Sequence, residues 1–189
     1  MEKERSMENS ARPMTVNNCN MSGLRPVMTP LPYPPIQVKC RNQEYANLLS
    51  VDYCGAVSEL STITQYINNE NRLSCEHCAL AKIILGIAMA EMMHLQKLGE
   101  LIYLLGGEVG FTAWQPDGKE KMWTPAYLNI PKCADEMLRA DIESERAAIS
   151  QYKKHISMMD DPYVNATLAR IIEDEEYHIM LLQDLLKGL

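Results

Sequence analysis

Two E-x-x-H motifs, each set in the middle of an apolar helical seam, constrain this chain more than any other feature. Followed at alternating steps of three and four, one segment reads Leu80, Ile84, Ile87, Glu91, His94, Leu98, Leu101, Leu105. Another reads Val164, Leu168, Ile171, Glu175, His178, Leu182, Leu185. Such a repeat is the buried stripe of an amphipathic helix, and the i, i+3 spacing stacks each Glu and His on one face. A third segment carries Leu138, Ile142, Glu145, Ile149, Tyr152, Ile156, and a shorter fourth carries Leu49, Ala56, Glu59, Ile63, Tyr66. In every stripe a carboxylate stands at the centre, where an aliphatic side chain is expected.

Four such stripes predict an all-α four-helix bundle, with helices over residues 43–70, 75–105, 133–158 and 162–187. Gly106-Gly107 stops the second helix, and Pro162 after Asp160-Asp161 opens the fourth. Short links make antiparallel hairpins of the first and second pairs. Residues 107–132, with Gly, Pro and both tryptophans, form one long crossover between the hairpins. Residues 1–42 hold six of the ten prolines (Pro13, Pro26, Pro30, Pro32, Pro34, Pro35) and no apolar period. They predict an extended proline-rich arm, lying on the surface or on a partner subunit, ahead of a bundle over 43–189.

The register of the hairpins brings the carboxylates level. Glu59 and Glu91 have their midpoint at residue 75, and Glu145 and Glu175 have theirs at residue 160, each at the expected turn. The halves also repeat: Glu59, Ile63, Gln65 and Tyr66 match Glu145, Ile149, Gln151 and Tyr152 at identical spacing. A duplicated hairpin with a pseudo-twofold axis follows. Four carboxylates facing one core, without a Lys or Arg on the seams, would each cost on the order of several kcal/mol to desolvate. Two divalent cations would neutralise them. Their expected ligands are Glu59, Glu91, His94, Glu145, Glu175 and His178, with Tyr66 and Tyr152 as hydrogen-bonding or redox partners one heptad from their glutamates.

Composition excludes several alternatives. A net charge of -7 and scattered basic residues give no electrostatic case for nucleic acid. The N-terminus lacks an apolar leader, and the most apolar stretch, Ala79–Met93, is short and interrupted by Lys82 and Glu91, so a soluble cytoplasmic protein is expected. In that compartment the six cysteines are expected as free thiols, including the single C-x-x-C at Cys75–Cys78. Glu143, Glu173, Asp174 and Glu176 fall off the seams and are expected as solvated charges, and His77 and His155 as surface residues.

Over residues 43–188 the chain resembles the ferritin-like superfamily. The stretch from Glu59-Leu60 to Gln65-Tyr66, Glu91-x-x-His94 and Asp174-Glu175-Glu176-Tyr177-His178 are similar to bacterioferritins and rubrerythrins. The Tyr33-Pro34-Pro35 arm and the Asp141-Ile142 lead into Glu145 resemble manganese catalases and their spore-coat relatives. The resemblance implies a ferritin-like bundle in which Glu91 and Glu175 bridge two ions, Fe or Mn. In the manganese catalase branch it implies an outer position for Glu175. It further implies an oxidoreductase acting on peroxide or dioxygen as peroxidase, catalase or ferroxidase, with an external electron donor if one is needed. A homo-oligomer, dimer or larger, is expected. Iron storage and a structural, coat-type metal-binding bundle are the alternatives.

Overall fold

The computed structural model describes residues 19–115 and 117–189. Pro13, part of the expected arm, lies outside them. Helix α1 spans Gln43–Cys54, α2 Glu59–Leu73, α3 Cys78–Leu105, α4 Ala134–Met158 and α5 Pro162–Lys187. Helices α2 and α3 form one antiparallel hairpin, α4 and α5 the other, and α1 extends the α2 corner of a four-helix bundle.

The single helix expected over 43–70 is in fact two. Gly55 ends α1, and a Cβ there would lie 2.5 Å from the Val51 carbonyl oxygen. Ser58 then caps α2, its Oγ accepting from the Ser61 amide at 3.2 Å. The break places Glu59 at the first position of α2, where the helix dipole favours a carboxylate. Ala56, assigned to the seam, is exposed within this break. At the other turn Asp161 caps α5, accepting from the amides of Tyr163 and Val164, and Pro162 follows at N1. Helix α3 closes on Gly106, whose φ of 92° is left-handed.

The long connection is not featureless. Thr112–Trp114 (β1) pairs antiparallel with Glu120–Met122 (β2), and Pro125–Tyr127 makes one 3-10 turn. The hairpin docks on α1 through the Trp114 amide to Ser50 Oγ at 2.9 Å. The chain then crosses α2, with Trp123 Nε1 donating to Ser61 Oγ and the Asn129 amide to Gln65 Oε1.

The core has two apolar clusters with the charged layer between them. One holds Leu49, Leu98, Leu101, Leu105, Val164 and Leu168; the other holds Leu73, Leu80, Ile84, Ile87, Leu138 and Leu182. Helix α3 as a whole reaches the length and apolarity of a membrane span, which the shorter stretch Ala79–Met93 did not suggest. It is the core helix of the bundle: half of its most apolar window is buried, and Glu91 and His94 point inward from it.

Residues 19–42, the described part of the arm, lie on their own bundle, between α3 and α5. The Val27 amide donates to the Gly86 carbonyl at 2.9 Å, the Asn42 amide to the Leu105 carbonyl at 2.9 Å, and the Lys39 amide to Asp161 at 2.7 Å. Proline-rich backbone has few donors to satisfy, which suits it to this covering role. Gly86, mid-helix, leaves room for the arm: a Cβ there would meet Val27 Cγ2 at 2.6 Å. The expectation of six free thiols is overturned here. Cys19 on the arm is disulfide-bonded to Cys78 at the start of α3, their Cα atoms 5.5 Å apart. Cys40, Cys54, Cys75 and Cys133 are free.

Candidate metal centre

Each of the four long helices sends one glutamate into one buried layer, Glu59 from the start of α2 and Glu91, Glu145 and Glu175 from within α3, α4 and α5, and α3 and α5 add a histidine one turn later. Ligand-type atoms of Glu59, Glu91, His94 and Glu175 lie within 4.8 Å of one another, as do those of Glu91, Glu145, Glu175 and His178. The two groups share Glu91 and Glu175. His94 Nδ1 is 2.9 Å from Glu91 Oε2, 3.3 Å from Glu175 Oε1 and 3.7 Å from Glu59 Oε2. His178 Nδ1 is 2.9 Å from Glu91 Oε1, 3.0 Å from Glu175 Oε2 and 3.6 Å from Glu145 Oε1. Glu175 therefore belongs to both groups rather than to an outer position.

The chemistry of this donor set fits two cations. Eight carboxylate oxygens and two imidazole nitrogens are hard-to-intermediate ligands suited to Fe or Mn. Glu91 Oε1 is buried and faces His178 Nδ1 at 2.9 Å without the geometry of a hydrogen bond; a buried acceptor left so costs roughly 1–3 kcal/mol unless something else satisfies it. Among the described residues, the two histidines are the only cationic side chains paired with these glutamates.

Around this layer the duplicated halves are used reciprocally. Tyr66 on α2 donates to Glu145 on α4, and Tyr152 on α4 donates to Glu59 on α2. Burial, then the neighbouring carboxylates, raises both phenols well above their ordinary pKa, so they stay protonated donors. Gln65 and Asn69 hold the buried Asp141 at 2.8 and 2.9 Å. In the other half Gln151 and His155 hold the buried Asp52, each at 2.7 Å. His155 is thus not a surface residue. It occupies the position of Asn69 in the repeat, and α1 packs over it.

Asp174 is the largest departure from the sequence expectation. It is fully buried, and its Oδ1 accepts from the Thr29 amide at 2.8 Å and Thr29 Oγ1 at 2.9 Å and forms an ion pair with Arg170 Nη1 at 2.8 Å. Its Oδ2 accepts from the Tyr33 hydroxyl at 2.7 Å and faces His94 Nε2 at 3.2 Å. Burial opposes its ionisation, but the bonds from His94, Arg170, Tyr33 and Thr29 outweigh that and hold the carboxyl below its ordinary range. The Tyr33 ring lies between two cations, with Lys97 Nζ 4.3 Å and Arg170 Cζ 4.4 Å from its centroid. His178 has a different outer partner: its Nε2 is 2.7 Å from the Val27 carbonyl oxygen on the arm. With each Nε2–H committed outward, each Nδ1 lone pair is turned to the centre. Glu143, Glu173, Glu176 and His77 are exposed.

Without cations the layer is balanced by protons. Burial, then repulsion from Glu175, raises Glu91 and lifts Glu145 to about 8. Burial opposes charge on both histidines, but the surrounding carboxylates win and raise His94 and His178 well above 6.5. Burial likewise opposes ionisation of Glu175, yet the two histidines bring it down to about 2. Cation binding requires neutral imidazole and ionised carboxylate. Groups with raised pKa hold their protons at neutral pH, so binding displaces them and affinity climbs with pH. Titration calorimetry with Mn(II) in buffers of different ionisation heat should show proton release at pH 7; a heat independent of buffer would contradict this.

A family model described as a ferritin-like domain matches residues 76–189, more than half of the chain. A probable manganese catalase of Clostridium acetobutylicum is 26% identical over 168 residues, covering 80% of this chain and 74% of that one. Among solved structures, wild-type KatB, a manganese catalase from Anabaena, superposes with a TM-score of 0.72 at 25% identity, over 84% of this chain and 78% of that one. A Rhodobacter capsulatus bacterioferritin shares the fold with a TM-score of 0.62 at 19% identity, over 78% and 86%.

Proposed function

The chain belongs to the ferritin-like family, and from that premise we propose that it is a dimetal oxidoreductase that disproportionates hydrogen peroxide. The observation carrying this reading is the pair of donor sets sharing Glu91 and Glu175. Similarity to the clostridial probable manganese catalase favours Mn over Fe and peroxide over dioxygen. The residues that would hold the ions are Glu59 and His94 on one side and Glu145 and His178 on the other, with Glu91 and Glu175 common to both donor sets. Ions bound there would supply the two-electron couple that oxidation of one peroxide to oxygen and reduction of another to water require.

The protein's own groups do the rest. Glu91 and Glu175 each present one oxygen to each side. Tyr152 and Tyr66 orient the terminal carboxylates of Glu59 and Glu145 by donating to one oxygen, which leaves Glu59 Oε2 turned to the centre. Asp174 and the Val27 carbonyl fix the imidazole tautomers. The flanking apolar clusters exclude water and keep these charges strongly coupled. A soluble homo-oligomer, with no nucleic-acid or membrane partner, completes the proposal.

The test is metal analysis of protein purified without added metal, followed by oxygen-electrode measurement with peroxide. Bound Mn with one oxygen released per two peroxides is the expected result. Bound Fe with peroxide consumed only beside an added reductant would replace disproportionation by a peroxidase reaction. Bound metal with neither activity would leave a structural bundle, and a native mass of a large hollow shell would favour iron storage.

A further inference from the structure

The two histidines are held from outside by unlike groups. His94 leans on Asp174, a carboxylate of α5 that also accepts from Thr29 and Tyr33 and pairs with the Arg170 guanidinium. Arg170 in turn donates to the carbonyls of Thr29 and Leu31, so this end of the arm is secured by charge-assisted bonds. His178 leans on the backbone carbonyl of Val27 alone. Val27 is secured by the hydrogen bond its amide donates to the Gly86 carbonyl, by apolar packing of Met21 and Val27 on the bundle, and by the Cys19–Cys78 disulfide. We propose that the Cys19–Cys78 disulfide and Val27 position His178, so that breaking the disulfide loosens the metal position beside His178 and leaves the one beside His94 in place. The inference rests on the dimetal reading above.

The physical argument is one of constraint. An extended strap stays seated only while its contacts outweigh the conformational entropy gained on releasing it. Residues 19–27 carry few hydrogen bonds to the bundle, and the disulfide fixes their far end. A freed strap takes the Val27 carbonyl away from His178 Nε2, and loss of such an outer partner weakens metal binding about 10–100-fold. The carboxylate behind His94 lies on a bundle helix and does not leave with the strap. The cleavage is an ordinary two-electron step: a trialkylphosphine takes oxygen from water, the S–S bond breaks, and the two hydrogens end on Cys19 and Cys78 as thiols. Hydrogen peroxide reverses it, the two thiols giving up their hydrogens as two waters form.

Full-length protein loaded with Mn(II) and challenged with a chelator tests this, with metal release followed over time and thiols counted in parallel. One of the two metals should leave about tenfold faster after phosphine treatment, and in Cys19→Ser with or without phosphine. Gly86→Ala, which pushes against Val27 with the disulfide intact, should show the same fast phase for one metal. Far-ultraviolet circular dichroism checks that each variant keeps its helices. Release of both metals at one unchanged rate in reduced wild type and in both variants would overturn the proposal alone. Six free thiols in protein prepared without reductant would overturn it as well. Protein that never binds metal would overturn the dimetal reading and this proposal with it.

Discussion

Glu91→Ala should empty both metal positions at once. Glu91 is shared by the two donor groups, one oxygen facing His94 Nδ1 and the other His178 Nδ1, both at 2.9 Å. Its loss removes an anionic oxygen from each side, whereas Glu59→Ala or Glu145→Ala removes one from a single side. Metal content measured by mass spectrometry should fall from two ions per chain to near none in Glu91→Ala. Thermal stability gives a second readout. A ligand that binds only the folded state adds about 2.7 kcal/mol at a hundredfold excess over its Kd. Wild type should therefore gain Tm on adding Mn(II) and the variant should not. A Glu91→Ala protein that still holds two ions would remove the basis of the assignment.

The second large effect is expected at Asp174, far from any solvent. Asp174→Ala strips the partner from a buried guanidinium, from the Tyr33 hydroxyl and from the Thr29 amide. Breaking a buried pair from one side costs roughly 3–5 kcal/mol, and the arm loses its main attachment together with His94's outer acceptor. Urea unfolding followed by circular dichroism should show a lower midpoint by that free energy. Loss of less than about 1 kcal/mol would mean the network contributes little net stability. The pH dependence has a definite sign. The folded carboxyl is depressed, so its contribution is fully present above the unfolded value of about 3.9. It is lost only as pH falls below the ordinary carboxylate range, towards the folded value.

Much of the fold could be read directly because its signals are local and periodic. Seams of period three and four marked α3, α4 and α5, and Gly106, Asp161 and Pro162 marked their ends because each has one backbone or capping role there. Equal distances of Glu145 and Glu175 from their turn sufficed to set them level, since a hairpin register depends only on that count. The break at Gly55–Ser58 was harder to see. A single glycine is compatible with a helix interior, and only the packing of α1 over α4 requires the chain to bend there.

The misread residues share one cause. Asp174 and His155 lie off the helical seams, where side chains face solvent unless a further element covers them. The arm covers Asp174 and α1 covers His155. Glu173 and Glu176, on neighbouring positions of the same helix, are uncovered and exposed, as their spacing implied.

The two E-x-x-H pairs, with Glu59 and Glu145 on the other two seams, determined that four glutamates and two histidines meet in one buried layer, because helical periodicity and hairpin register are properties of the chain alone. Only the tertiary structure decided what stands behind that layer. An extended proline-rich arm has no period and no register of its own, so its path over Gly86 depends on contacts with residues distant in sequence. The same holds for the pairing of Cys19 with Cys78 rather than with any other thiol. Which imidazole rests on a carboxylate and which on a backbone carbonyl follows from that path.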